Sequence, residues 1–236
     1  MEIGGFQRVS LIDYPGRIAS IVFVTGCNMR CPFCYNFDLA LKNYKKLHIY
    51  SENEILEKLA RGRNLVDSVE ITGGEPTLQP GLEAFMQKCK QLGLMVKLDT
   101  NGTNPRIVKE LITKGLVDYI AIDIKALLEQ ERYVKAIGVP NEAMADNIKK
   151  SIRIVIDSRI PHEFRTTVVP GLIDLDDLPK MAAEIKGADA YYLQQFLPGK
   201  NLDPAYSNVI PYGMNELIIA RDTINNMNVV KKCEIR

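Results

Sequence analysis

A chain of 236 residues with 46% hydrophobic side chains is long enough to bury a substantial core as one α/β-barrel-sized domain. Lys and Arg number 30 against 29 Asp and Glu, a formal net charge of +1, which argues against a large nucleic-acid partner and against an acidic tail. The start, Met1-Glu2-Ile3-Gly4-Gly5, lacks the basic and apolar regions of a secretion signal, and the longest apolar run, Ile18 to Val24, falls far below the ~20 residues that cross a bilayer, so a cytoplasmic protein without a membrane partner is expected.

In chain order the first buried strand is expected at Ile18–Val24. A helix follows at 52–63, opened by Ser51 as N-cap with Glu54 at the capping-box position. Then come a strand at 69–72, a helix at 82–92 stopped by Gly93, and a strand at 95–99. A helix at 105–114 opens on Pro105 and stops at Gly115. Strands are expected at 119–124, 163–169 and 191–196, and helices at 141–158, 174–186 and 215–226. The strands are rich in Val, Ile and Leu without strict alternation, which suits parallel strands covered on both faces. Six strand–helix units in a chain shorter than the ~250 residues of a full eight-unit barrel predict a partial (β/α)6 TIM-like barrel, a single domain over 1–236, with a doubly wound open sheet as the alternative.

Chemistry in such folds gathers where strands end. The first strand runs into Cys27, Cys31 and Cys34, spaced C-x3-C-x2-C. Later strands run into Gly73-Gly74-Glu75, Asp99-Thr100-Asn101-Gly102, Asp123-Ile124-Lys125, the segment from Arg165 to Gly171, and Gln194 to Pro198. Three thiolates hold three irons of a cubane cluster and leave the fourth open, whereas electron-transfer clusters take four cysteines. Zinc is the competing reading, but a structural zinc wants four ligands. No second cysteine pair exists, Cys89 and Cys233 are isolated, and His48 and His162 stand alone. Five cysteines, an odd number, at such close spacing do not suit a disulfide framework.

The cysteine spacing, with Phe33 just before the last cysteine, resembles the signature of the radical S-adenosylmethionine (radical SAM) enzymes. That resemblance implies a radical SAM core carrying a [4Fe–4S] cluster whose open iron S-adenosylmethionine chelates. Gly73-Gly74-Glu75 resembles the family's Gly-Gly-Glu motif, where close backbone approach serves the ammonium; a tight strand-to-helix turn is its bland reading. Asp123 and Lys125, two apart on a strand, share a face. They would hold the amino and carboxylate groups of the methionine moiety, with Arg165 on the same carboxylate; a rim ion pair is the alternative. Phe33 would wall the adenine.

The resemblance extends further. Ser10 to Gly16, Gly26-Cys27-Asn28, Cys34-Tyr35-Asn36, Asp99-Thr100-Asn101-Gly102, Asp123-Ile124-Lys125 and Val168 to Gly171 look like the activating proteins of anaerobic ribonucleotide reductase, which belong with the pyruvate formate-lyase activating enzymes. It implies that Asp99 and Thr100 help place the methionine moiety through a monovalent cation, and that Asp13-Tyr14-Pro15-Gly16 lies beside the cluster to guide an incoming glycine loop. The implied reaction is reductive cleavage of S-adenosylmethionine to a 5′-deoxyadenosyl radical that installs a glycyl radical on a partner enzyme. A flavodoxin or ferredoxin would be the reductant. Two departures stand out: Tyr35 occupies the place of a histidine, and Tyr14 that of a glycine. A radical SAM reaction on a nucleobase, tRNA or peptide, or an iron–sulfur electron carrier, are the other functions weighed.

Overall fold

The computed structural model describes residues 1–141 and 143–236. Among them, eight strands follow one another in a single sheet in the order β1 to β8. In sequence the elements are β1 Ile3–Ser10, β2 Ala19–Val24, α1 Phe37–Ala40, α2 Glu52–Gly62, β3 Ser68–Gly73, α3 Leu82–Gln91, β4 Met95–Thr100, α4 Pro105–Thr113 and β5 Tyr119–Asp123. They continue with α5 Gln130–Ile137, α6 Ala143–Ser158, β6 His162–Val168, α7 Leu178–Glu184, β7 Tyr191–Gln195, α8 Met214–Met227 and β8 Cys233–Ile235. The chain divides into two compact units, one of Met1–Asn28, Asn36–Thr100 and Arg106–Ile120, the other of Met29–Tyr35, Asn101–Pro105 and Ala121–Arg236.

In the first unit β1 runs antiparallel to β2, and β2, β3 and β4 run parallel. Their Val22, Val24, Val69, Ile71, Val96 and Leu98 are buried. The helices cover them with apolar stripes at helical spacing, such as Ile55 and Leu59 of α2 and Leu82, Phe85, Met86 and Cys89 of α3. Ser51 caps α2 as the sequence suggests, its hydroxyl accepting from Glu54 N at 3.2 Å. In the second unit β6, β7 and β8 run parallel. Phe164, Val168, Tyr191 and Leu193 are buried, and α8 packs on β7 and β8.

All six expected strands are present within a residue or two, and two more flank them. β1, Ile-Gly-Gly-Phe-Gln-Arg-Val-Ser, has no apolar run and two glycines, and its pairing with β2 slips register twice. β8 is only three residues long. α5 was not legible either, because it has only two turns and half of its side chains, Gln130, Glu131, Arg132 and Lys135, are polar or charged. The helix expected from Asn141 begins within the described residues at Ala143, Glu142 lying outside them. The helix expected from Asp174 opens as a 3-10 turn at Leu175–Asp177 before α7.

Glycine is required where β2 and β3 end together. Gly74 N donates to Val24 O and Glu75 N to Gly26 O, both at 2.8 Å. A Cβ on Gly74 would stand 2.1 Å from Gly26 O, and one on Gly73, whose φ is +111°, would stand 2.6 Å from Val24 N and O. These neighbours are backbone and cannot swing aside. Gly74→Ala should therefore cost roughly 1–3 kcal/mol as an overpacking change. At this chain length that lowers the melting temperature by about 2–12 °C, measured by calorimetry on the apo-protein.

Candidate active site

In the first unit, Glu75 is fully buried beside the Gly73-Gly74 turn. Its Oε1 accepts from Thr77 N at 3.0 Å and from the hydroxyls of Thr77 and Thr100, each at 2.6 Å. This carboxylate caps the 3-10 turn Pro76–Leu78 and fastens the end of β4 to the end of β3. It holds the glycine turn in place. Asp99 is also buried, with Lys97 Nζ 2.7 Å from its Oδ1 and 3.0 Å from Glu70 Oε2. Lys97 and Glu70 are register partners on β4 and β3. A charge at every second position of otherwise apolar strands is the signal that would have revealed them. Cys27 is partly exposed in this unit and follows Gly26, whose N–H donates to Leu39 O at 2.8 Å.

The second unit holds Cys31, Phe33 and Cys34 in one short loop, where Cys34 N donates to Cys31 O at 3.0 Å. Three neighbours fix the loop. Arg30 N donates to Ile137 O at 2.7 Å, at the end of α5. Leu202 N donates to Cys34 O at 3.2 Å, and Asp203 N to Pro32 O at 2.9 Å. Tyr35 adds a fourth fastening: its hydroxyl donates to Leu197 O at 3.0 Å and accepts from Leu197 N at 2.8 Å, and its ring stacks on Phe196. The residue standing in place of histidine is thus an anchor for the cysteine loop.

Facing that loop are the charges read from the sequence. Lys125 Nζ lies 6.0 Å from the Phe33 ring centroid and 3.5 Å from Asp123 Oδ2. Arg165 Nε donates to Asp123 Oδ1 at 2.8 Å. Burial would push the Asp123 carboxyl up, but the Arg165 and Lys125 charges outweigh it and hold the pKa at about 2. Burial works against the Lys125 charge, while Asp123, and next Cys31, raise its pKa above the ordinary lysine value. Behind Arg165, Glu163 is fully buried, 3.6 Å from Arg165 Nη1, and accepts the Arg236 fork at 3.1 and 3.2 Å. Sequence reasoning missed Glu163 and Arg236, which meet across 73 residues.

Asp13-Tyr14-Pro15-Gly16 is a correction. It forms the β1–β2 hairpin turn, with Ser10 opposite Ala19, at the end of β2 away from Cys27. β2 has six residues, so about 20 Å separates the turn from Cys27, which follows the other end of the strand. Asp13 accepts the Ser10 hydroxyl, and buried Tyr14 packs on Tyr119, ring centroids 5.6 Å apart. A segment preceding a strand must lie at the end opposite the one where the strand delivers its catalytic residues. Cys89 and Cys233 keep their bland reading. Both are buried, and burial pushes each thiol up to about 12.

The donor set suits an iron–sulfur cluster with an amino-acid cofactor: thiols on one short loop, cations for a carboxylate, a carboxylate for an ammonium, and a ring for a base. Among the described residues, the buried Tyr133 hydroxyl and the buried Asn201 Oδ1 lack hydrogen-bond partners, and each lies on a segment fastened to the cysteine loop. Buried polar atoms left in this way are what a missing ligand would satisfy.

Residues 21–185 match the radical SAM superfamily, and the chain belongs to it. A protein of Methanocaldococcus jannaschii named as a glycyl-radical enzyme activating enzyme is 32% identical over 233 residues, covering 95% of this chain and 94% of its own. The pyruvate formate-lyase-activating enzyme of Clostridium pasteurianum is 29% identical over 204 residues, covering 84% and 81%. Among solved structures, SuiB of Streptococcus suis bound to its precursor peptide SuiA superposes with a TM-score of 0.70 at 15% identity. It is matched over 92% of this chain and about half, 48%, of its own length. That likeness shows the fold, the α/β partial TIM barrel of radical SAM enzymes. The chain is a radical SAM enzyme, and its cofactors are a [4Fe–4S] cluster and S-adenosylmethionine.

The Asp123 pair has a pH signature. A carboxyl held at about 2 when folded, against about 3.8 when unfolded, contributes stability that is complete above roughly pH 4 and is lost as the pH falls from 4 to 2. The difference in melting temperature between wild-type and Asp123→Asn apo-protein should stay constant from pH 5 to 8 and shrink below 4.

Proposed function

We propose that this chain, as one radical SAM domain over residues 1–236 in the cytoplasm, installs a glycyl radical on an anaerobic ribonucleotide reductase. Cys27, Cys31 and Cys34 are the cluster ligands, and three thiolates leave one iron open to S-adenosylmethionine. The observation that carries the reading is the meeting, within one unit, of Cys31, Phe33 and Cys34 with Lys125, Asp123 and Arg165. When held by these residues, the cluster and S-adenosylmethionine would supply one-electron reductive chemistry that removes a hydrogen atom from a glycine Cα of the partner.

The chain's own residues bind and orient. Lys125 and the Arg165 guanidinium take the methionine carboxylate. Asp123 keeps both cations in position and stays ionised above roughly pH 4. The Gly73-Gly74 backbone accepts from the ammonium, Glu75 fixes that backbone, and Asp99 and Thr100 complete the methionine end. Phe33, only 5% exposed, presents an edge to adenine and packs the loop with the rest of its ring. A flavodoxin or ferredoxin supplies the electron. The glycyl-radical substrate is supported by near-full-length similarity to proteins named for that activity. Tyr14 in place of glycine favours the reductase branch of the resemblance.

Anaerobic reconstitution should give one [4Fe–4S] cluster. Cys27→Ala, Cys31→Ala and Cys34→Ala should each abolish it and all release of 5′-deoxyadenosine, while Cys89→Ala and Cys233→Ala keep wild-type iron. Reduced enzyme with S-adenosylmethionine and an anaerobic ribonucleotide reductase should give a doublet glycyl-radical signal by electron paramagnetic resonance. If 5′-deoxyadenosine forms but no glycyl-radical enzyme gives that signal, the substrate is instead a nucleobase, tRNA or peptide.

A further inference from the structure

Tyr133 and Tyr191 are the largest fully buried side chains among the described residues, Tyr133 being only 1% exposed. It sits in α5 one turn before Ile137, so the two share a helix face. Ile137 O is the atom that receives Arg30 N at 2.7 Å, directly before Cys31. The contact is close because α5 ends on Gly138 at φ +66°, where a Cβ would stand 2.2 Å from Arg30 O. Helix α5 is thereby pinned to the cysteine loop, and Tyr133 is carried on the pinned face.

Its hydroxyl has no hydrogen-bond partner of good geometry among the described residues. Burial is the main influence on the phenol and raises its pKa, and the groups whose charges act on it are Lys125, Cys31 and Asp123; the Lys125 backbone N–H faces the oxygen. The O–H proton is the part left without an acceptor. A buried donor in that state is destabilising, and phenylalanine would fill the same space without that cost. Lys125 is a cation and offers no lone pair. Asp123 is already held by Arg165 Nε at 2.8 Å and stands 3.5 Å from Lys125 Nζ. The remaining acceptor among these neighbours is the sulfur of Cys31, which gains acceptor strength as a thiolate bound to iron.

We propose that the Tyr133 hydroxyl donates a hydrogen bond to the Cys31 thiolate of the loaded cluster and so raises the cluster's reduction potential. It is a positioning and tuning residue that no sequence motif marks. Hydrogen bonds to cluster sulfurs stabilise the more negative, reduced state. The effect rests on the proposed ligand role of Cys31, which is tested separately by the iron content of Cys31→Ala.

The test is the midpoint potential of the reconstituted full-length enzyme without S-adenosylmethionine, followed by electron paramagnetic resonance. Tyr133→Phe should hold wild-type iron and titrate at a more negative potential, while its apo-protein melts at the same temperature or higher. 3-Fluorotyrosine at position 133, a stronger donor of nearly the same shape, should shift the potential the opposite way. It decides the matter should the phenylalanine protein fail to keep its iron. Unchanged potential in the variant that holds a cluster would overturn the proposal. So would an unchanged potential with weakened S-adenosylmethionine binding, which would assign the hydroxyl to the cofactor.

Discussion

Asp123 between two cations is the interaction on which the catalytic half of this protein depends. Asp123, Lys125 and Arg165 are all partly buried, and placing three charged side chains beside a strand as apolar as Tyr-Ile-Ala-Ile-Asp is costly unless each has a partner. Arg165 contributes a short Nε contact and Lys125 a longer one, so the carboxylate holds both cations without fully neutralising either. Glu163 and Arg236 extend the alternation, Arg236 stacking 3.4 Å above the Tyr192 ring. Each charge restrains the next, and Lys125 is left beside Phe33 with a longer and weaker tie. A cation held in that way can still pair with a further anion.

The first unit solves a related problem by different means. Lys97 is sealed between Glu70 and Asp99, and Glu75 collects three donors. These groups set the geometry of the strand ends. The Gly73-Gly74 turn then lets backbone meet backbone where no side chain fits. The cysteine loop is held in the second unit from two directions, by α5 through Arg30 and by the 196–203 segment through Pro32, Cys34 and Tyr35. In metal sites generally, contacts of this kind from surrounding groups fix the orientation of the ligating side chains.

Much of this was legible because it is local. The cysteine spacing, the Gly-Gly turn and the Asp-x-Lys pair are each encoded within ten residues, and the core strands announce themselves by apolar runs. What could not be read is what the register decides. Lys97 meets Glu70, and Arg236 meets Glu163, only through strand pairing. Tyr133 looks like any aromatic on a helix until α5 is seen docked on Arg30. β1 and β8 are too short or too glycine-rich to mark themselves. The hairpin Asp13 to Gly16 carries a different lesson: its place at the far end of β2 follows from chain direction alone, and the resemblance pointed elsewhere.

The account stands on Lys125 being held ready for the carboxylate of S-adenosylmethionine rather than spent on a structural ion pair. The most direct test is the affinity of the cluster-loaded enzyme for S-adenosylmethionine in wild type and Lys125→Met at matched iron content. A charge-assisted contact worth roughly 1.5–3 kcal/mol predicts binding weakened about ten- to a hundredfold. Equal affinity with the cluster intact would contradict it and make Asp123, Lys125 and Arg165 a rim ion network and nothing more.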